Sequence, residues 1–506
     1  MHKRRGKFVI ITTALLLLLS ACAEKKPTDE GINKPSESET TFDNEEGSGE
    51  STGGQAGSDD TTTEPEGGNE SATTTEPEGG NESAATTVQG ETDTSVENTT
   101  VDETKTETKT TEKKTETTTK KPSATEKPTE APFADHVMDW KNKELEKKMR
   151  EITGISSGNI MLSDVIDINQ LYLETDSSVD GDEITDISAI GELTNLTRLE
   201  ARYNDITDIS FISKLKKLKR LSLWSNCITD VSALAGLTSL QRVELGSNDI
   251  TDISCLKNLK NLTELGIGSN DITDFSVLKN FTKLETLSVQ NYDNADFSLV
   301  SGLTNLQTLY LNGGENITYP DFAKLTKLDT LNVADSGLTS LNAFSNATTL
   351  TKLQAYRNNI TDISAVAKMK NMDNLGLNNN QITDISALSG LTKITFLNLT
   401  SNKVADISAL SGMKSMYNLK LKYNQITDIS ALKDMKEIVY LDLSNNQITD
   451  LTPLAGLTSL KWLYLGNNQI TDLTPLKNLT NLQTVDVSGN PITDYSAIDF
   501  VPNVTK

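Results

Sequence analysis

The ten residues NNQITDLTPL at 445–454 recur unchanged at 467–476, an interval of 22. Taking the Ile of each NxITD motif as a marker, the same step carries on in both directions. It falls at 184, 206, 228, 250 and 272, and again at 360, 382, 404 (as Val), 426, 448, 470 and 492. Asn294, Ile317 and Leu338 hold degenerate versions, and a one-residue insertion near 312–315 is cancelled before Leu338. Ile184 and Ile492 therefore stay fourteen whole periods apart, which makes 15 units in one register. Self-similarity at a fixed period of this size marks an architecture of stacked repeats.

Within the unit at Ile448, apolar residues recur as Ile448, Leu451, Leu454, Leu457, Leu460, Leu463 and Leu465. A straight helix or a flat sheet would leave part of that set in water. A coil that turns once per 22 residues, each turn stacked on the last, points all of it at a common axis. The alternation in Leu463-Tyr464-Leu465 marks a short strand pairing in a parallel ladder with neighbouring turns. Asn446 and its equivalents stand where the chain leaves the strand, and their amides can satisfy backbone groups that would otherwise be buried unpaired. Thr452-Pro453 and Ser430-Ala431 read as the N-cap and first position of a short helical turn on the opposite side. Asp450 and its equivalents recur in almost every unit, which assigns them to capping that turn and not to catalysis.

Before the repeats, FADHVMDWKNKELEKKMREITGI (133–155) places Leu145, Met149 and Ile152 at helical spacing, preceded by Val137, Met138 and Trp140. One apolar face on a charged helix suits a cap over the exposed end of a repeat core. His136 lies here, and with His2 it completes the histidines of the chain. That scarcity removes most routes to imidazole catalysis or histidine metal sites. No cofactor is expected, and no enzyme.

The first residues are of another kind. MHKRRGK is a cationic start, FVIITTALLLLL an apolar stretch too short for a typical span, and LSAC follows at 19–22. From 23 to about 132 the chain is Thr, Glu, Ser, Gly, Lys and Asn, with TTTEPEGGNESA repeated in tandem at 61–72 and 73–84. Such a composition cannot bury enough apolar surface to offset chain entropy and reads as a disordered stalk. As a coil it would reach on the order of 60 Å. A stalk that is itself a ligand, or O-glycosylated on its threonines, stays open.

The balance of 47 Lys+Arg against 71 Asp+Glu, net −24, speaks against nucleic acid. Cys227 and Cys255 occupy non-equivalent positions of adjacent repeats and read as unpaired thiols. DSSVDGDEITDI at 176–187 starts like a calcium loop, but its twelfth position is Ile187 where a carboxylate is required, so no metal site is assigned.

Two resemblances follow from these residues. LSAC resembles a bacterial lipobox, which implies acylation of Cys22 and cleavage before it, leaving the chain lipid-anchored on the outer face of the bacterial cell membrane. Losing Lys3, Arg4, Arg5 and Lys7 with no acid shifts the net charge from −24 to −28. An ordinary cleaved signal with a chance cysteine is the alternative. LSGLTKITFLNLTSNKVADISAL at 388–410 resembles the 22-residue leucine-rich repeat of bacterial internalins, and the preceding helix resembles their N-terminal cap. The resemblance covers 133–506 and implies an α/β solenoid, a leucine-rich repeat horseshoe of β/3₁₀ units that binds proteins on its concave strand face. The expected organisation is a leader at 1–21, a stalk at 22–132, a helical cap at 133–175 and the solenoid at 176–506. An immunoglobulin-like module and a C-terminal sorting motif, both internalin features, are not found in the sequence, which leaves host invasion open.

With the leucines committed inward, three outward positions per strand can vary. Two clusters emerge there. Arg198, Arg202, Arg220 and Arg242 surround Glu200, Glu244 and Trp224. Farther on, Phe396, Tyr440, Trp462 and Tyr464 form an aromatic strip of the kind that anchors ligands. The first cluster reads equally as a binding patch or as an ion-pair ladder. The expected partner is a protein of a host or neighbouring cell, with carbohydrate adhesion or a non-binding envelope spacer as alternatives. The weak middle at 290–341 reads either as a bend, with Asn294 in an interior slot and Gly313-Gly314 at a strand exit, or as simple decay of the motif.

Overall fold

The computed structural model of the chain describes residues 134–173 and 183–506, all within one compact unit, Lys120–Lys506. The leader, Cys22, the stalk and the acidic segment 176–182 lie outside the described residues.

Sixteen three-residue strands form one parallel sheet in chain order, opening with β1 (Gln170–Tyr172) and β2 (Arg198–Glu200) and closing with β15 (Thr484–Asp486) and β16 (Asn503–Thr505). From β2 to β15 each strand begins 22 residues after the one before, and each coil returns through a 3₁₀ turn such as Thr452–Leu454. All seven apolar residues of the Ile448 unit are within 1% of complete burial, and most of their counterparts along the solenoid are buried too. The β/3₁₀ horseshoe is the fold of the chain.

Asparagine supplies the polar half of the core. Asn446 is buried; its Nδ2 donates to the carbonyls of Leu421 and Leu443 at 3.0 Å, and its Oδ1 accepts from the Ile426 N–H at 3.0 Å. The same set recurs at Asn226, Asn248, Asn270, Asn380 and Asn468. The residue just before each of them is held left-handed, at φ 57° in Ser225 and Asn445 and at φ 56° in Asn467. This turn tips the chain out of the strand without losing its ladder.

The aspartates cap the helical turn as the sequence reading assigns, but the N-cap position is not the Ser or Thr it named. Ser430 and Thr452 are the first residues of their 3₁₀ turns, and the N-cap position belongs to Ile429 and Leu451, whose side chains are buried and cannot cap. The aspartate one residue earlier does the capping, Asp428 Oδ1 and Asp450 Oδ1 each accepting from the Ser430 or Thr452 N–H at 2.8 Å.

At the N-terminal end, α1 (Lys143–Thr153) is capped by the Asn142 side chain and ended by Gly154 at φ 73°. Leu145, Met149, Met138 and Trp140 are buried against the first coil. Ile152 is not, at 47% exposed, because it lies in the last turn of α1, where the helix runs past the core. Val137 is likewise exposed, in a short antiparallel bridge to Met161. His136 is a surface residue whose Nε2 sits 2.9 Å from Glu192 Oε2.

The weak middle keeps its strands. β6 (Thr286–Ser288), β7 (Thr308–Tyr310) and β8 (Thr330–Asn332) pair in unbroken register, so no bend interrupts the ladder there. Asn294 does not fill an interior slot; it is exposed at φ 54°. Tyr292 occupies the asparagine column instead, buried, its hydroxyl donating to the Ile267 carbonyl 25 residues back. Asn270 reaches Leu245 at the same separation. Its ring packs on Phe275, itself 4.9 Å from Phe297, and Tyr319 and Phe322 pack on Phe344, so rings replace aliphatic chains on this side. Gly313 is held at φ 81°, a backbone conformation that favours glycine, and the Asn291 side chain takes the space beside it.

Neither Cys227 nor Cys255 forms a disulfide among the described residues, and both are half-buried. Burial pushes the Cys255 thiol up to about 11, so it stays protonated and donates to the Val231 carbonyl at 3.3 Å.

Candidate functional site

The one-residue-per-side alternation of a strand puts the first and second outward positions of every coil on the same face. The third follows just past the strand end, where the backbone still pairs: Ala201 N–H to Ser222 and Tyr203 N–H to Trp224. Residues 22 apart therefore stand side by side, and variation along the sequence becomes a pattern across the sheet.

In the N-terminal cluster, Arg198, Arg220 and Arg242 are direct neighbours on β2, β3 (Arg220–Ser222) and β4 (Arg242–Glu244). Three of the four arginines are tied to other side chains of the chain. Arg198 pairs with Glu200 and lies 4.9 Å over the Tyr172 ring. Arg202 donates to Ser222 Oγ at 2.7 Å and stands 3.5 Å from Glu200. Arg242 reaches Glu264 at 2.8 Å. Arg220 is exposed, and its charge acts on the Glu264 carboxyl alongside that of Arg242. Trp224 is half-buried, edge-on to Tyr203 at 4.9 Å, and lies over Gly246. Glu244, also half-buried, lies over Gly266, and burial pushes its carboxyl up to about 7 against the pull of Arg202 and Arg242.

In the C-terminal cluster, Tyr440 is the register partner of Trp462, and Asp442 of Tyr464, on β13 (Tyr440–Asp442) and β14 (Trp462–Tyr464). The Tyr440 and Tyr464 rings pack diagonally, centroids 5.4 Å apart and tilted 39°. Lys420 brings its ammonium 5.2 Å from the Tyr440 ring centre. Burial pushes the Tyr440 hydroxyl up to about 12. The structure thus brings Tyr440, Trp462 and Tyr464 together. Phe396 stands apart, separated from Tyr440 by Asn418 and so about 10 Å away.

Tyr417 and Tyr423 flank the same region, 55% and 52% exposed, and sequence reasoning missed them because they fall outside the three strand positions. Tyr423 sits at the left-handed position, where the side chain is thrown outward. Hollows of about 280 Å³ beside α1 and about 370 Å³ around Asp208 and Asp230 lie off the strand face. The strand face itself is an open surface, which suits a macromolecule better than a small ligand. Among the described residues no cluster of His, Cys, Asp or Glu is placed to hold a metal ion, and no helix is long and apolar enough to cross a membrane.

A family model for leucine-rich repeats matches at 194–236, 238–280, 348–390, 370–412, 418–456 and 458–499. An internalin from Listeria monocytogenes is 31% identical over 68% of this chain and 95% of its own, with a TM-score of 0.53. The chain belongs to the leucine-rich repeat family. Within that family it is internalin-like. Two other solved structures share the fold at 23% identity. A leucine-rich repeat protein of Leptospira interrogans covers 68% of this chain and 91% of its own at TM-score 0.59. The functional domain of InlJ from Listeria monocytogenes covers 73% and 79% at TM-score 0.57. A comparison with curated proteins finds no match. Leucine-rich repeat proteins generally mediate protein–protein interaction, and the matched segments leave out the ring-filled middle at 281–347.

Proposed function

We propose that this leucine-rich repeat protein captures a protein ligand on its concave strand face, at the surface of a bacterial cell. The observation that carries the reading is the adjacency of Tyr440, Trp462 and Tyr464 on two neighbouring strands, half-buried rings with one face outward. Clustered aromatics on an open surface are the usual anchors of protein interfaces. The arginine cluster of Arg198, Arg202, Arg220, Trp224 and Arg242 serves as a second contact region; Phe396 extends the aromatic region at a distance. Cys22 carries the lipid, and the stalk sets the reach of the solenoid from the membrane.

Replacing Trp462 and Tyr464 together by Ala is the test. The double variant should keep its thermal unfolding profile and lose capture of ligand from a host-cell or neighbouring-cell surface extract. Unchanged capture by a folded double variant removes the aromatic cluster from the reading. Competition by free glycans, and by proteinase-treated extract as well as untreated, would move the ligand to carbohydrate. Radiolabelled palmitate incorporation that Cys22→Ser abolishes tests the anchor separately.

A further inference from the structure

The chain enters and leaves each 3₁₀ turn with opposite charge. On the way in stands the capping aspartate, as Asp208, Asp230, Asp252 and Asp274 in successive coils. On the way out stand lysines, as in Lys214-Leu215-Lys216-Lys217 and Lys257-Asn258-Leu259-Lys260, where the leucines turn inward and the lysines are exposed. A coil runs from strand to turn along one side and returns along the other, so the solenoid has an aspartate flank and a lysine flank.

Stacking in register gathers the lysines into a row. Lys217, Lys283, Lys327 and Lys393 stand whole coils of 22 residues apart, on a line about 40 Å long at the usual spacing of neighbouring strands. Each donates its ammonium to an asparagine oxygen of the preceding coil, Asn195, Asn261, Asn305 and Asn371, at 2.7–2.8 Å. A neutral partner holds the ammonium in place and leaves its charge uncompensated. Among the described residues the flank lysines form one ion pair, Lys324 to Asp321 at 3.5 Å. The densest coil carries Lys214, Lys216, Lys217, Lys219 and Arg220, with no acid between Asp208 and Asp230. Acids at the strand entries, Glu285, Asp329 and Asp373, begin only later in the chain, so the flank is most positive from Lys214 to Lys260.

We propose that the lysine flank binds a linear sulfated polysaccharide. A repeating polyanion matches a repeating row of ammoniums in sign and in shape, and needs no pocket. A protein partner would need an apolar contact core as well. The exposed large apolar side chains are Val137, Ile152, Tyr172, Tyr417, Tyr423 and Phe500, and none of them falls between Lys214 and Lys283. The net negative charge of the chain does not forbid the contact, because the aspartate flank lies across the buried core and free charges are screened beyond about 8 Å at physiological ionic strength. This surface is off the concave strand face and independent of the aromatic cluster.

The test titrates the whole chain by calorimetry with heparin, with heparin stripped of its sulfates but not its carboxylates, and with poly-L-glutamate. Heparin should bind about tenfold or more tightly than either of the others, since affinity of this kind follows the number of charges neutralised. The variant K216Q/K217Q/K257Q/K260Q keeps hydrogen-bond donors and removes four flank charges. It should bind heparin about tenfold or more weakly while keeping the parent's thermal unfolding profile. The variant K143Q/K352Q/K403Q/K422Q removes the same charge from the cap, the strand face and the aspartate flank, and should bind heparin like the parent. Equal losses in the two variants, or none in the first, overturn the proposal. Poly-L-glutamate binding as tightly as heparin overturns it too, and would assign the flank to an acidic protein. The Trp462 and Tyr464 variant should keep its heparin binding, so failure of the flank and failure of the concave face give different results.

Discussion

The side-chain oxygen of Asn446 accepts a hydrogen bond from the backbone N–H of Ile426, in the coil before its own, at 3.0 Å. That contact, with the two carbonyls its amide nitrogen reaches, closes backbone groups that no water can serve. Replacing Asn446 by Ala should cost about 3 kcal/mol or more, since each buried group left unpaired costs about 1–3. The loss should be local, because each coil of a solenoid leans only on its neighbours. Amide hydrogen exchange should speed up at Ile426 and nearby amides and stay slow around Asn226. Uniform acceleration along the solenoid would contradict the nearest-neighbour picture.

Tyr292 does the work of this asparagine with a different side chain, and the consequence runs against the repeat pattern. Substituting Asn, which the column carries at Asn270, should destabilise here. It would empty the space beside Phe275, at a cost of about 3 kcal/mol by the usual large-to-small penalty. Tyr292→Phe keeps the ring and strips the bond to the Ile267 carbonyl, and should cost less, about 1 kcal/mol. Urea unfolding of the two variants checks the order; Asn milder than Phe would show that the column, not the ring packing, dominates.

These two residues also mark how far the sequence could be read. Period, strand and asparagine ladder were all legible, because burial forces the same residue type to the same place in every coil. Positions such as Leu463 and Asn446 carried that signal, whereas the middle broke it. Tyr292 stands two residues before Asn294, and a search for asparagine in the motif cannot see a phenol reaching the same carbonyl. The N-cap was misplaced because Ser430 is a good capping residue by type, yet the buried Ile429 holds the cap position and Asp428 reaches across it. At the surface, register told which side chains are neighbours, and Tyr440 beside Trp462 follows from it. Register did not tell which are already engaged: that Arg198 and Arg202 share Glu200, or that Asp442 and Asp486 turn one oxygen onto a serine, depends on rotamers.

The aspartates that hold the 3₁₀ turns predict a response to acid. Backbone hydrogen bonds from Ser254, Ser276, Ser386, Ser408 and Ser496 hold the carboxyls of Asp252, Asp274, Asp384, Asp406 and Asp494 below the usual range. A carboxyl whose folded value is lowered contributes stability above its unfolded value of about 3.9, and that contribution disappears as pH falls through the folded one. Melting temperature should therefore be level in these groups above about pH 5 and fall steeply toward pH 2. Changing Asp384 and Asp406 to Asn keeps an acceptor for each serine and removes the charge. The double variant should lose less of its melting temperature between pH 5 and 2 than the parent, and an equal loss would place acid lability elsewhere.

Glu244 predicts the opposite slope. Burial over Gly266 raises its carboxyl to about 7, Glu264 adding to the rise and Arg202 and Arg242 opposing it. A group raised on folding gives its full stabilisation below the unfolded value, about 4.3, and loses it as pH climbs through the folded one. Stability from this residue should then decline between about pH 4.5 and 7 and be flat beyond. Glu244→Gln removes the ionisable group while keeping the shape, so it should flatten that decline and leave the variant more stable than the parent at pH 8. A carboxyl ¹³C titration of Glu244 reads the cause directly. A midpoint near 7 fits a side chain held against the glycine of the next strand, and a midpoint near 4.3 would mean that water reaches it.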